Sequence, residues 1–440
     1  MNIDDLPQHL LVEILCRLGC NKIVFQCKCV SKRWFALISD PYFVLRFLYL
    51  QKSATQDTLF FEKTEWKAAD NKEFVTMSPL SAGFTTREFS LSFVPCIGRP
   101  RVVATYNDLI LCCPEDGFAG DYYICNPYTE QWQWIALPPT PRVHRGPVLT
   151  GFTCDHPYYN REELVGNRTS SNNIKLNAEY KYRVVRIPAV QKNCLEFTVE
   201  IYSSETSEWR ESVISSSRGF SFASHSRTPG VSYNGMVYWL GFGGLLIGVD
   251  PFNNINRTIS TGASANTTVD IVVNNELCRF VQFYKPEYNI ERVECLGVCQ
   301  GRLRMCHFDL EDPYQSGIVC VWELKEVKEE DDQKADGIAG RLMKWCLIKK
   351  VNLKEILVAE NSDIVKWQAM SKGRCFARVR AFDTNDEDIL YIELEGDIVT
   401  CNFRTRTSFV RERIRTRDGI DDELTKAFPL LLPRCPTPLN

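Results

Sequence analysis

Apolar positions along this chain fall into two regimes. Within residues 1–50, Leu10, Leu11, Ile14, Leu15 and Leu18 recur at three- and four-residue spacing, the period of one helix face. Pro7 precedes them, and at a first helical turn its missing N–H costs nothing. Gly19 marks the stop, as a left-handed C-terminal cap does. Asn21 can cap a second short helix through Ile23, Val24 and Cys27. Ser31 can cap a third that carries Trp34, Leu37 and Ile38 and ends at Asp40-Pro41. The pattern predicts an α module of three to four short helices. So small a module buries little surface. Its apolar stripe is broader than its own core requires, which marks a partner site.

After residue 50 the period changes. Short alternating or continuous apolar segments are separated by turn dipeptides, the signature of strands. A weak repeat aligns several of them: DYYICNPYTEQWQWI at 121–135, VEIYSSETSEWR at 199–210 and IVTCNFRTRTSF at 398–409. Thr129 and Trp132 are spaced as Thr206 and Trp209, and Cys125, Asn126 and Thr129 as Cys401, Asn402 and Thr405. A tight turn leading into an apolar strand recurs as NDLILCC (107–113), NGMVYWL (234–240), QGRLRMC (300–306) and EGDIVTC (395–401). Asn-Gly is a strong hairpin signal, and Gln-Gly and Glu-Gly are weaker ones. A further β pair is expected at 317–326 and 343–353, with 325–340 a charged, solvated loop. No long helix follows residue 50. Irregular four-stranded units without βαβ spacing favour a β-propeller over a sandwich, and about six blades would fill the length. The Pro-rich end, FPLLLPRCPTPLN, is expected to lie over the propeller without forming a regular strand.

Composition narrows the function classes. The net charge is −3, with 52 basic against 55 acidic residues, so no global case exists for nucleic acid. Cysteines are numerous, 19 in all, yet no CxxC occurs and the five histidines are scattered, so no zinc pattern assembles. They read as reduced, mostly buried thiols of the cytoplasm and/or nucleus. Asp4 and Asp5 stand where a secretory signal would be positive. The longest apolar run, 237–249, is shorter than the roughly 20 residues of a membrane helix. No membrane association is expected, and the sequons at Asn167, Asn256 and Asn266 should be unused.

The N-terminal motif order LP-x-x-LL-x-EIL-x-RL, VSK-x-W, LI-x-DP-x-F closely resembles the F-box. The matches are Leu6, Pro7, Leu11, Glu13, Ile14, Leu15, Leu18, Val30, Ser31, Lys32, Trp34, Leu37, Ile38, Asp40, Pro41 and Phe43. The turn–strand–hairpin–Trp units resemble the kelch-like repeats of the F-box-associated domain of plant F-box proteins. The resemblance implies an F-box over 1–47, a connecting segment and first blade over 48–100, a propeller over 101–417 and a Pro-rich segment packing on it over 418–440. It assigns Leu6, Pro7, Leu11, Ile14, Leu15, Leu18, Val30, Ser31, Lys32 and Trp34 to docking on a Skp-family adaptor, and through it to cullin and RING subunits of a ubiquitin ligase. A positive excess within residues 1–50, six Lys/Arg against four acids, suits steering to an acidic partner.

Other candidate chemistry is thin. Trp132, Trp134 and Trp209 could line a ligand site but read as blade-packing residues. The GFGG of 241–244 lacks the Lys-Ser/Thr of a phosphate loop. Arg404, Arg406, Arg411 and Arg413 open a basic run. In a strand over 404–413, alternate arginines would share a face. That face is either a charge-protected edge or a target-binding patch for an acidic or phosphorylated segment. A copper-oxidase site would need converging histidines and tyrosines, and His144, His156, His225 and His307 sit in separate segments. No cofactor and no catalysis are expected. The expected function is substrate recognition within a Skp–cullin–F-box ligase, with a non-degradative scaffold role as the alternative.

Overall fold

The computed structural model describes residues 6–18, 24, 26–40, 42–43, 46–47, 57–62, 74–77, 87–89, 91–96, 100–114, 121–127, 130–136, 138, 148–155, 181–188, 193–222, 230–253, 278–281, 293–309, 318–327, 342–357, 377–384, 386–394, 397–413 and 427–431. The helical module contains α1 (Gln8–Cys16), α2 (Lys32–Ser39) and a 3-10 turn at Cys27–Cys29. Pro7 sits one position outside the first turn, as the N-cap of α1. Its carbonyl accepts from the N–H of Leu10 at 3.0 Å and of Leu11 at 3.2 Å. Ser31 caps α2 as its sequence position implies, with Oγ accepting from Trp34 N–H at 3.2 Å. Asp40 closes α2 in extended backbone, and its Oδ1 accepts from Tyr42 N–H at 2.8 Å.

The expected three to four helices therefore reduce to two α-helices described in full. Gly19 and Asn21 lie outside the described residues. Val24, Gln26, Tyr42, Phe43, Arg46 and Phe47 carry helical backbone beyond α1 and α2. Helices of this length are marginal by themselves. They are held by a shared apolar core of Leu11, Leu15, Cys16, Trp34, Leu37, Ile38, Phe43 and Phe47.

The rest of the described chain is β apart from a few short helical turns. In order the strands are β1 (Asp57–Glu62), β2 (Phe74–Met77), β3 (Arg87–Phe89), β4 (Pro100–Tyr106), β5 (Leu109–Pro114), β6 (Tyr122–Asn126), β7 (Gln131–Ile135), β8 (Leu149–Cys154), β9 (Tyr182–Ile187), β10 (Cys194–Ser203), β11 (Glu208–Phe220) and β12 (Val231–Tyr233). There follow β13 (Met236–Leu240), β14 (Leu246–Val249), β15 (Cys278–Val281), β16 (Cys295–Cys299), β17 (Arg302–Phe308), β18 (Ile318–Val327), β19 (Leu342–Asn352), β20 (Ala377–Phe382), β21 (Ile389–Leu394), β22 (Asp397–Asn402), β23 (Thr407–Arg413) and β24 (Ala427–Leu431). A single turn of helix, α3 (Leu353–Leu357), follows β19.

Five antiparallel sheets are each built from four strands consecutive in sequence: β4–β7, β8–β11, β12–β15, β16–β19 and β20–β23. These five are the blades described with their side chains, against the about six expected. A sixth sheet, in the order β24-β1-β2-β3, is described by its strand pairing and joins the last described strand to the first. The end strands β24, β4, β8, β12, β16 and β20 touch in that cyclic order. Apolar cores sit in the seams between neighbouring sheets; Ala104, Leu111, Phe152, Val184 and Tyr202, for example, join β4–β7 to β8–β11.

The sequence repeats correspond to repeated turns. Asn234-Gly235 and Gln300-Gly301 connect β12 to β13 and β16 to β17 with positive φ at all four residues, 49° and 75°, then 50° and 69°. That is the two-residue hairpin geometry that Gly favours. Two of the Thr-containing units are four-residue turns whose last residue is left-handed, Ser207 (φ 56°) and Arg406 (φ 56°), and Glu130 (φ 57°) is left-handed at the matching place before β7. In the turn that ends at Arg406, Asn402 Oδ1 accepts from the N–H groups of Arg404 (2.9 Å) and Thr405 (3.0 Å), an Asx turn. Segments 317–326 and 343–353 pair as β18 and β19, and Lys325–Val327 of the expected charged loop belong to β18.

One expectation fails. Part of the Pro-rich end is a regular strand: β24 pairs antiparallel with β1, Thr58 facing Leu430 and Leu59 facing Pro429. Among the described strands β24 has a neighbour on one side only, and an edge strand is where a proline is tolerated.

Candidate functional site

On the helical module, Pro7, Leu10 and Ile14 follow one face of α1 and all three are exposed, Leu10 and Ile14 each by 45%. Val30 (60% exposed) and Phe35 (56%) present further apolar surface at the start of α2. The two elements are tied together where Arg33 Nη2 donates to the carbonyl of Leu6 at 2.8 Å. Lys28 Nζ lies 5.8 Å from the centre of the Phe35 ring. Glu13 bridges α1 to the helical backbone at Arg46, whose Nε donates to Oε1 at 2.7 Å. That bond, with the charges of Arg46 and Arg17, holds the Glu13 carboxyl below its usual value.

The residues read from the sequence as one docking set are thus divided. Leu11, Leu15 and Trp34 are core side chains, 0%, 2% and 6% exposed. Leu18 packs against that core, Leu6 and Ser31 are half-buried, and Pro7, Ile14, Val30 and Lys32 are exposed. Leu10 and Phe35 were missed, although Leu10 belongs to the apolar stripe and Phe35 follows Trp34 directly. Helical period reveals a stripe, but not which edge of it the partner helix covers.

The aromatic expectation also divides. Trp209 packs in the seam between β4–β7 and β8–β11, and its Nε1 donates to the carbonyl of Ala136 at 2.6 Å. Trp132 and Trp134 are instead half-exposed on β7, the end strand of its sheet among the described residues.

The arginine run does not form one strand face. Arg404 and Arg406 lie in the four-residue turn before β23, whereas Arg411 and Arg413 lie in its far half. Seven residues of strand span roughly 20 Å. The register slips between Ile398 and Val399, so Val410 and Glu412 have facing partners and Arg411 has none. Arg404 Nε donates to Asp388 Oδ2 at 2.7 Å, and Lys349 pairs with the same carboxylate. The bond from Lys349 leads the effects holding Asp388 below its ordinary value.

Beside this pair is a second ionic group. Glu323, in β18, accepts from Arg302 Nη1 at 3.0 Å and from Arg304 Nη2 at 2.8 Å, and Lys325 Nζ stands 3.6 Å away. Burial pushes its carboxyl up, but the bond and charge of Arg304 more than offset that, and the net shift is downward. Arg304 Nη2 also reaches Glu387 Oε2 at 3.1 Å, linking the sheet of β16–β19 to that of β20–β23. Among the described residues no group of three or more His, Cys, Asp or Glu is placed to hold a metal ion. Every described cysteine is a free thiol, most of them buried.

A helical module with an apolar face, followed by a ring of antiparallel sheets, is matched by two family models. Residues 3–46 match the F-box domain and residues 99–243 the F-box associated beta propeller domain. The chain carries an F-box domain and an F-box-associated β-propeller domain. F-box protein At5g49610 of Arabidopsis thaliana is 30% identical over 259 residues, 58% of this chain and 64% of the relative. F-box/kelch-repeat protein At3g61590, from the same plant, is 26% identical over 206 residues, 46% of this chain and 44% of the relative. The chain thus spans less than two thirds of the length of these curated relatives. Among solved structures, Kluyveromyces lactis Hsv2 aligns over 66% of this chain and 73% of its own at 8% identity and a TM-score of 0.28.

Proposed function

We propose that this F-box protein is the substrate-recognition subunit of a Skp–cullin–F-box ubiquitin ligase, acting in the cytoplasm and/or nucleus. The observation that carries the reading is the uncovered apolar face of the F-box: Pro7, Leu10 and Ile14 on α1 with Val30 and Phe35 beside α2. Such a surface on so small a module favours a tightly packed protein partner. In this reading a Skp-family adaptor covers that face and brings the cullin and RING subunits. Leu11, Leu15 and Trp34 shape the face from beneath, while Leu6, Leu18, Ser31 and Lys32 frame it.

The six sheets are read as six blades of one propeller running from β1 to β24, with the F-box ending near residue 47. The cyclic contacts of the end strands support that reading. The propeller holds the target, and the F-box holds it near a ubiquitin-charged conjugating enzyme. The gain is in effective concentration. The chain contributes binding and orientation, and the covalent chemistry belongs to its partners.

The test is co-purification of the full chain with a Skp-family adaptor. Ile14→Asp places charge on the exposed face and is expected to abolish capture with melting unchanged. Trp34→Ala empties a core position and is expected to cost about 3–5 kcal/mol of F-box stability, with capture lost through unfolding. Absence of capture by well-folded wild type would sink the ligase reading.

A further inference from the structure

We propose that the seam between β16–β19 and β20–β23 is a docking surface for an acidic segment of the recruited protein, contacted by Arg302, Lys325, Arg404 and Arg406. The inference rests on the adaptor reading and names the chemistry its propeller would select.

At this seam the cations are outside and their counter-charges lie beneath them. The side chains of Arg302, Lys325 and Arg404 are 61%, 46% and 76% exposed, whereas those of Glu323 and Asp388 are 3% and 10% exposed. One buried carboxylate, Glu323, therefore serves Arg302, Arg304 and Lys325, and Asp388 serves both Lys349 and Arg404. Arg302 commits Nη1 and Arg404 commits Nε to these bonds. Their other guanidinium N–H groups make no bond among the described residues, an open fork that fits a carboxylate or a phosphate. Arg406 is exposed at the left-handed end of its turn and makes no ion pair among the described residues.

The two sheets that carry the cations are also tied together. Arg304 joins Glu323 to Glu387, and Glu387 is the chain neighbour of Asp388, which holds Arg404. The N–H of Gln300 donates to the carbonyl of Thr384 at 2.7 Å, fastening the β16–β17 turn to the loop of the next sheet. Binding groups fixed in advance lose less freedom when a ligand arrives. The exposed carboxylates nearby, Glu387 and Glu326, are both already engaged. Arg411 and Arg413 take no part, because they lie at the far end of β23.

The probe is a fluorescent octapeptide of alternating glutamate and serine, beside the same peptide phosphorylated on serine and one with lysine for glutamate. Anisotropy of the full-length protein is read at low salt. The acidic peptides are expected to bind and the lysine peptide not, with binding weakening as salt screens the contacts. The triple variant Arg302→Gln, Arg404→Gln, Arg406→Gln is expected to lose about tenfold or more in affinity, and Arg210→Gln on exposed β11 none. Whichever acidic peptide binds more tightly identifies carboxylate or phosphate as the preferred ligand. Should the triple variant melt early, Arg406→Gln, which breaks no described ion pair, carries the same comparison. Equal binding by wild type and variant, equal loss in Arg210→Gln, or tighter binding of a single-stranded DNA oligonucleotide would overturn the inference. Peptide binding by a chain that captures no adaptor would overturn the ligase reading and leave this surface standing.

Discussion

Arg186 and Glu200 stand directly opposite each other on β9 and β10 and form an ion pair with both side chains buried, 1% and 0% exposed. The pair lies inside a sheet otherwise packed by Val184, Val185, Val199 and Ile201. Two charges removed from water are tolerable there because each neutralises the other at hydrogen-bonding distance. Removing one partner leaves the other buried without this counter-charge. Glu200→Ala is expected to destabilise the propeller by about 3–5 kcal/mol, and the double replacement Arg186→Met, Glu200→Leu by much less. Urea denaturation of the three proteins checks this; equal loss in the single and double variants would show that the pair is not coupled.

Acid should loosen the seam between β16–β19 and β20–β23. Asp388 is held below its ordinary value of 3.8 by the bond from Lys349 and by Arg404, and the net shift of Glu323 is also downward. A carboxylate with a depressed folded-state value contributes stability that is complete above its unfolded value and disappears as pH falls through the folded one. Melting temperature is therefore expected to hold from neutral pH to about pH 5 and to fall below about pH 4. Asp388→Asn should lower it at neutral pH and flatten part of the acid decline. An unchanged acid profile in that variant would rule Asp388 out as a contributor.

Deletion of residues 427–440 removes β24 and with it the pairing that joins the last described strand to the first. β1 would then lose one of its two neighbours, and β4 and β20 a strand they both touch. The deleted protein is expected to be cut by protease between β1 and β4 under conditions that leave the full chain intact. Cleavage sites read by mass spectrometry check this, and identical digestion of the two proteins would count against a closed ring. Adaptor capture is expected to persist, because the F-box core is made by residues of its own module.

Much of the local structure was legible beforehand, because local chemistry decides it. Ser31 caps α2 through a hydroxyl three residues from the N–H it satisfies. Asn234-Gly235 and Gln300-Gly301 turn tightly with positive φ at each residue, and the second position of each is a glycine, whose missing Cβ leaves that conformation free of a clash. The Thr206 and Thr405 units recur because each threonine occupies the same place in a four-residue turn. The F-box was readable from its motif order, and its exposed face only in part. Leu10, Leu11, Ile14 and Leu15 share a stripe, and the packing of α2 and of Phe43 and Phe47 decides that Leu11 and Leu15 go inside.

By itself, then, the sequence determined the helical and β regimes, the hairpin turns, the helix cap and the two-part organisation, all carried by residues within a few positions of one another. Only the tertiary structure decided that β24 pairs with a strand more than 350 residues before it, that Arg404 and Arg406 part company with Arg411 and Arg413, and that Glu323 and Asp388 lie beneath a layer of cations. Short-range patterns constrain dihedral angles and faces. Which faces meet is set by long-range closure, and burial and charge environment follow from that meeting.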